Sequence, residues 1–160
     1  MATKADFTPE EWQTLIQAPL AIGTLITMAS PAIGDAFKES MAVAKKLGEV
    51  ASATGNTELM ASISDEYKDR ATAKAAQVKA DSRDPAAVKA QMLAIVAQAA
   101  AEIDAKASPE EAEQIKAWLY SVGEAAAEAA KEGDFMGIGG VKVSPEEEAA
   151  LAEIKTTLEI

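Results

Sequence analysis

Ser108-Pro109-Glu110-Glu111 marks the start of a helix. The serine hydroxyl can accept a hydrogen bond from the amide three residues on, and proline fits the first turn because its missing N–H costs nothing there. The two glutamates meet the positive end of the helix dipole. Apolar residues then recur every three or four positions, which predicts an amphipathic helix with one buried face: Ile115, Trp118, Leu119, Val122, Ala126 and Ala129.

Three more helix starts are built in the same way or nearly so. Thr8-Pro9-Glu10-Glu11 and Ser144-Pro145-Glu146-Glu147 repeat the capping box, and Asp84 before Pro85 is a cap without the later glutamate. Phe7 and Trp12 stand at the two positions of a hydrophobic staple around the first box. Two further helical stripes follow these starts: Val88, Met92, Ile95, Val96, Ala99 and Ile103, and then Leu151, Ile154 and Leu158.

The region between residues 19 and 56 is less regular. We expect Pro19 to interrupt the first helix, since proline lacks the N–H that a helix interior needs. Ser30-Pro31 should separate that helix from a second one, which Gly55-Asn56 should end. The predicted buried stripe of this second helix is Ile33, Phe37, Ala44 and Leu47.

Residues 65–83 alternate charged residues with alanines, and their large apolar residues are Tyr67 and Val78. This composition predicts an exposed helix, with a partly mobile connection as the alternative.

Length and composition indicate one domain, residues 1–160, because a chain of 160 residues is the size of a single folding unit. Hydrophobic residues make up 49% of the chain but aromatic residues only 4%. Much of the apolar content is alanine, the best helix former, so helices should pack closely. We therefore predict an all-α, single-domain bundle of about five to seven helices, with a glycine-rich loop before the last helix.

The chain contains no cysteine and no histidine, and its net charge is -11. These absences remove disulfides, thiolate chemistry, the usual zinc ligands and the usual general base. A surface this acidic repels phosphates, so nucleic-acid binding is not expected. We expect a cytoplasmic protein without a cofactor, and no residue pattern identifies a catalytic site, so an enzyme ranks last among the hypotheses.

The longest uncharged stretch runs from Trp12 to Gly34. Its length would suffice to cross a bilayer, but its prolines, glutamines and threonines are more typical of a buried core helix. An oligomer interface and membrane association are the two other interpretations, and we do not expect a membrane protein.

A second candidate region is the glycine-rich segment from Gly133 to Val143. Glycines before a helix start can surround an anion, with a lysine supplying charge, although the spacing of known phosphate loops is absent. The favoured interpretation is a packing loop in which glycines permit sharp turns, and the anion site is the alternative. Together with the first helix, this segment gives the candidate binding residues: Trp12, Phe135, Gly137, Gly139, Gly140 and Lys142.

A third candidate is the acidic row Glu124, Glu128 and Glu132, spaced four residues apart on one helix face. Carboxylates alone can bind calcium or magnesium, which prefer oxygen ligands. The row lacks the spacing of a calcium loop, so a solvated face is the favoured interpretation and a metal site the alternative.

A pattern at both ends of the chain consists of Trp12, Ala18-Pro19-Leu20, Gly23 and residues 131–141 before Ser144. In this pattern the chain resembles small all-helical bacterial proteins without an assigned function. The resemblance implies a bacterial helical protein and no particular activity.

The C-terminal stretch Gly140-Val141-Lys142-Val143-Ser144-Pro145-Glu146-Glu147, followed by Leu151 and Ile154, resembles the TerB-like tellurite-resistance proteins. Those proteins are helical, acidic and associated with metal stress. Gly139-Gly140 stands where that family has Asp-Gly, so no metal ligand is carried over from this position.

These observations lead to two hypotheses of different classes. The first is a soluble helical protein that binds a protein partner or forms a homo-oligomer, with the apolar N-terminal segment or the glycine loop as its contact surface. The second is a carboxylate-based divalent-metal binder in a stress response. The two differ in whether the acidic side chains converge in space.

Overall fold

The computed structural model describes residues 1–30, 36–50, 56–129 and 143–160, and for residues 36–39 and 50 it describes only the backbone. Within these ranges the chain forms seven α-helices, preceded by a 3₁₀ turn at Lys4–Asp6, and no strand. The helices are α1 Pro9–Ala29, α2 Ala36–Val50, α3 Glu58–Glu66, α4 Arg70–Ala75, α5 Pro85–Lys106, α6 Pro109–Ala129 and α7 Pro145–Leu158. The predicted all-α bundle is confirmed, while the predicted glycine-rich loop lies outside the described residues.

Helix α1 lies at the centre of the bundle, where it contacts α2, α3, α5, α6 and α7. Because neighbours surround it, apolar side chains on most of its sides are buried, as the favoured interpretation of the uncharged stretch predicted. Its largest fully buried side chains are Leu15, Ile22 and Ile26.

Pro19 lies inside α1 and is buried, so the prediction that it interrupts the first helix is wrong. Proline removes one backbone hydrogen bond and costs about 3 kcal/mol in a helix interior. Packing of α1 against several helices outweighs that cost. Tyr67 also supports this part of α1, because its buried O–H donates to the carbonyl of Ile16.

Helix α2 packs against α6 and α1 and buries Val43 and Leu47. Ala44, which the predicted stripe placed in the core, is exposed, because the buried face is turned by one residue toward Val43. Ile33, the side chain of Phe37 and Gly55 lie outside what the structure describes.

The prediction of one exposed helix over residues 65–83 is wrong. Helix α3 ends at Glu66, α4 spans only Arg70–Ala75, and residues 77–84 have no regular structure apart from bends. Few large apolar residues are available here to hold a long helix against the bundle. Tyr67 and Val78 do pack against the core as anchors.

Helices α6 and α7 confirm their predicted stripes, with Ala129 half-buried and the other predicted residues buried. Gly123 allows α6 to approach its neighbours closely: a Cβ there would lie 3.1 Å from Cγ2 of Ile22 and 3.2 Å from Cδ2 of Leu151. α1, α6 and α7 therefore meet at a point where only glycine fits without a shift of its neighbours.

The predicted capping boxes of α1 and α7 are present in full, since each cap hydroxyl and each N3 glutamate bonds to the other residue's amide. The staple is present as well, with the rings of Phe7 and Trp12 6.3 Å apart. The start of α6 differs. The amide of Glu111 donates to Oγ of Ser108 at 3.4 Å, but the Glu111 carboxylate accepts from the amide of Ala2 at 2.9 Å.

Candidate functional site

Helix α5 owes its position to a clear start and end. The Asp84 carboxylate accepts from the amide of Ala86 at 3.3 Å, and Pro85 occupies the first turn. Lys106 lies in the last turn, where a positive charge favours the negative end of the dipole. The 22 residues between these ends give a rod, about 33 Å long at 1.5 Å per residue.

The inner face of α5 belongs to the core and packs against α1, α6 and α7. Its buried residues recur at helical spacing: Met92, Val96, Ala99, Ala100 and Ile103. Val88 and Ile95, which the sequence placed on the same face, are half-buried at its edges.

The outer face of α5 is made almost wholly of alanine. Besides Pro85, Gln98 and Asp104, every exposed residue of α5 is an alanine. We call these seven residues the alanine face: Ala86, Ala87, Ala90, Ala94, Ala97, Ala101 and Ala105.

The centre of the alanine face has the geometry of a helix-packing seam. Ala90, Ala94, Ala97 and Ala101 follow one another at spacings of four, three and four residues, the spacing of a coiled-coil seam. Their methyl groups permit a closer approach than leucine or isoleucine would. No exposed residue between Ala90 and Ala101 is charged.

Charged residues at the edges of α5 are held by neighbouring helices of the same chain. Lys89 pairs with Glu153 of α7 at 2.7 Å, Asp104 pairs with Lys116 of α6 at 2.9 Å, and Lys106 pairs with Glu11 of α1. The buried stripe sets the rotation of α5, and the alanine face therefore points away from the bundle.

Glu102 lies beside the alanine face and accepts from Nε2 of Gln98 at 2.9 Å. Partial burial raises the pKa of this carboxyl above its ordinary value of 4.5, against the opposing effect of the Gln98 bond.

Among the described residues, one helix, α5, is long and apolar enough to cross a membrane by length and composition, and 28% of its most apolar window is buried. From the sequence, residues 12–34 were the segment considered as a possible membrane span. Those residues contain α1, which the bundle surrounds.

Trp12, a predicted binding residue, lies in the core with 7% of its surface exposed. Its indole N–H donates to Oε1 of Glu66 at 3.0 Å, and the Lys4 ammonium lies 5.1 Å from the ring centroid. Through these contacts Trp12 anchors the N-terminal segment to the bundle. A binding role for Trp12 stays a prediction.

The other predicted binding residues lie outside the described part of the chain: Phe135, Gly137, Gly139, Gly140 and Lys142. Their binding and packing interpretations therefore both stay predictions.

Of the acidic row, Glu124 and Glu128 are exposed on α6, and Glu132 lies outside the described residues. Within the described ranges, no group of three or more acidic side chains is arranged to hold a metal ion. The row thus gains no carboxylate partner from the described part of the fold.

No family model, no curated protein and no solved structure matches this chain.

The apolar spacing predicted the buried stripe of α5, but the alanine face opposite it was not predicted. A signal was present, because the positions between the apolar residues hold alanines where a solvated helix usually holds charged residues. Alanine is apolar and is also a strong helix former, so the sequence does not show whether an alanine in a helix is buried or exposed. The fold shows that these alanines are exposed.

Proposed function

We propose that the protein acts by protein–protein association, and that the alanine face of α5 binds the same face of a second copy of the chain. The observation that carries this proposal is an exposed helical face without charge, on a chain whose net charge is -11.

Helix propensity explains why alanine is frequent in α5, but it does not explain why charge is absent from its outer face. Helix α7 is the useful contrast, because its exposed positions include Glu146, Glu148, Glu153 and Lys155. A solvated helix tolerates glutamate and lysine as well as alanine. The absence of exposed glutamate and lysine from the centre of α5 is the pattern expected of a surface that contacts another protein.

A second copy is the favoured partner because the seam is symmetric about its midpoint. If two α5 helices lie antiparallel about a two-fold axis between residues 95 and 96, Ala90 meets Ala101 of the other copy and Ala94 meets its Ala97. The two helix dipoles then oppose one another favourably. The arrangement also brings Arg83, beyond the N-terminal end, toward the acidic C-terminal end that carries Asp104.

The net charge works against self-association, since two copies repel each other. That repulsion is screened beyond about 8 Å at physiological salt and about 3 Å at 1 M salt. The alanine methyls contribute an apolar contact that salt does not weaken. We therefore expect association to strengthen as sodium chloride is raised.

The test compares two substitutions that add the same charge at exposed helical alanines, Ala97→Glu in the alanine face and Ala117→Glu on α6. Sedimentation equilibrium of the wild type should give a mass that rises with protein concentration toward that of a dimer. Ala97→Glu should weaken dimerisation by roughly tenfold or more, because a buried charge without a partner is costly, and Ala117→Glu should leave it unchanged.

Far-ultraviolet circular dichroism of the three proteins should be the same, which separates lost association from lost folding. A wild-type mass that stays monomeric at all concentrations would overturn the proposal. Flotation of the wild type with neutral lipid vesicles, lost in Ala97→Glu, would replace it with a membrane-binding role for α5.

A further inference from the structure

Two neighbouring cavities lie where α1, α2 and α4 meet, and the described residues that line them belong to elements other than α5. The first, of about 360 Å³, lies between the C-terminal half of α1 and the first turns of α2. The second, of about 250 Å³, extends along α2. Leu20, Ser40 and Val43 line both cavities, so the two form one groove, which we call the α1–α2 groove. Its size is that of known small-molecule sites, about 300–1,000 Å³.

The walls of the groove along α2 are mainly apolar, because polar side chains that line it are bonded within the chain. The Tyr67 hydroxyl donates to the carbonyl of Ile16, and the Ser64 hydroxyl donates to the carbonyl of Leu47. Val43 and Leu47 are buried and line the same wall. An occupant of this part of the groove therefore meets aromatic and aliphatic surface.

The two glycines of the groove show where it is closed and where it is open. A Cβ at Gly23 would lie 3.0 Å from Cγ2 of Val43, so α1 and α2 approach closely there. A Cβ at Gly48 would meet no atom within 4 Å. A peptide helix, about 10–12 Å across with its side chains, is too wide for cavities of this volume. A single hydrocarbon chain suits the groove better.

Positive charge borders the groove on its α4 side. An open depression beside α4 is lined by Arg70 and Lys74, and it adjoins the groove at Ala73 and Gln77. Residues 68–79 carry four basic side chains and one acidic side chain, on a chain whose net charge is -11. This basic border is therefore a local reversal of the overall charge.

Two of these basic residues, Arg70 and Lys74, are exposed and form no ion pair with another described residue. Lys68 differs, because it pairs with Asp65 at 2.6 Å. Asp69, the acidic residue of the segment, uses its carboxylate to cap α4. The charges of Arg70 and Lys74 are thus available to an anion at the edge of the groove.

We infer that the α1–α2 groove binds a fatty acid, with its hydrocarbon tail along Leu20, Val43 and Leu47 and its carboxylate beside Arg70 and Lys74. The apolar walls suit the tail, and the basic border selects an anionic head over a neutral or positive one. Arginine binds a carboxylate through two parallel hydrogen bonds, which adds geometric preference to the charge. A flat bilayer surface cannot enter a recessed groove, so a single amphiphile is the better occupant.

Equilibrium dialysis of the full chain, stripped of bound lipid, against laurate below its micelle concentration tests the inference. Dodecanol has the same tail without charge, and dodecyltrimethylammonium has the same tail with a positive head. The wild type should bind laurate at one saturable site. It should bind dodecanol about threefold or more weakly, since charge-assisted hydrogen bonds to the head are lost, and dodecyltrimethylammonium more weakly still.

Two pairs of matched variants test the tail and the head separately. Ala44→Trp adds a large side chain at an exposed position that lines the groove, and Ala117→Trp adds it on α6, outside the groove. Ala44→Trp should weaken laurate binding by about tenfold or more, because the ring overpacks the space of the tail, and Ala117→Trp should leave it unchanged.

Lys74→Gln should weaken laurate binding by about threefold or more and change dodecanol binding little, because it removes a partner of the head and leaves the apolar walls intact. Lys155→Gln, at an exposed position of α7, removes the same charge away from the groove and should leave laurate binding unchanged. Circular dichroism checks the fold of each variant. If Ala44→Trp misfolds, the comparison of Lys74→Gln with Lys155→Gln decides.

Absence of a saturable laurate site in the wild type would overturn the inference. Equal affinity for laurate and dodecyltrimethylammonium would also overturn it, as would an equal loss of laurate binding in Lys74→Gln and Lys155→Gln. Co-sedimentation with phosphatidylglycerol vesicles by a protein that does not bind monomeric laurate would replace the fatty-acid site with a membrane-surface contact.

Discussion

Helices α1 and α5 are almost equal in length, with 21 and 22 residues, and both are rich in apolar side chains. They differ in how much of that apolar surface the fold covers. α1 lies inside the bundle and buries large side chains on most of its sides, whereas α5 buries one stripe and exposes the alanine face. Apolar composition therefore does not say whether a helix is enclosed.

The side-chain sizes explain the difference. The leucine and isoleucine side chains around α1 need neighbouring helices to cover them, because burying each one stabilises the fold by about 1.5–3 kcal/mol. Alanine has a single methyl group and can face water at little cost. α5 can therefore face water in a single copy of the chain and can also form a close apolar contact with a second copy.

The largest expected effect is in α1. Ile22→Ala should lower the free energy of unfolding by about 2–5 kcal/mol, because it leaves a cavity where α1 meets α6. Ala94→Ser on the alanine face should cost only about 0.5 kcal/mol, the difference in helix propensity. Urea denaturation followed by circular dichroism measures both, and equal costs would show that the two helices are equally enclosed.

A smaller effect is expected from adding a methyl group at a helix crossing. Gly123→Ala should destabilise the fold, because the new Cβ meets Ile22 and Leu151; the overpacking cost of about 1–3 kcal/mol should exceed the gain in helix propensity of about 0.5–1 kcal/mol. Gly48→Ala is the matched control, because nothing lies within 4 Å of a Cβ at this exposed position of α2.

In Gly48→Ala the higher helix propensity of alanine should stabilise the fold by about 0.5–1 kcal/mol. Thermal melts of the two variants should therefore move in opposite directions. A shift in the same direction would mean that α6 does not approach α1 and α7 as closely as the distances at Gly123 require.

The smallest effects concern two carboxyl groups near the α1–α5 contact. The hydrogen bond from Lys106 lowers the pKa of Glu11, and partial burial raises the pKa of Glu102. Glu11 therefore stabilises the fold above its ordinary pKa of 4.5, and this contribution is lost as the pH falls through its lowered value. Burial disfavours the ionised form of Glu102 in the folded chain, so this residue destabilises the fold near neutral pH. The destabilisation decreases as the pH falls from neutral toward 4.5.

Glu11→Gln should therefore lower the melting temperature near pH 7, and this loss should shrink as the pH falls below 4.5. Glu102→Gln should raise the melting temperature near pH 7, with the gain disappearing below pH 4.5. Melts of both variants over this pH range give the comparison. Shifts of the same sign at neutral pH would contradict the assigned environments.

The sequence by itself determined the helix starts at Thr8, Asp84, Ser108 and Ser144 and the buried stripes that follow them. These features are local, since capping and spacing involve residues within a few positions of one another. Pro19 and residues 65–83 were predicted wrongly because tertiary contacts decided them: surrounding helices keep α1 continuous, and too few apolar anchors hold a long helix after Tyr67.

The alanine face and the contact of the Ala2 amide with the Glu111 carboxylate depended on the tertiary structure. The first requires knowing which side of α5 faces the core, and the second joins residues 109 positions apart that no spacing rule connects. A sequence pattern gives the period of a helix face, but only packing between distant segments decides which faces are covered and which polar atoms meet.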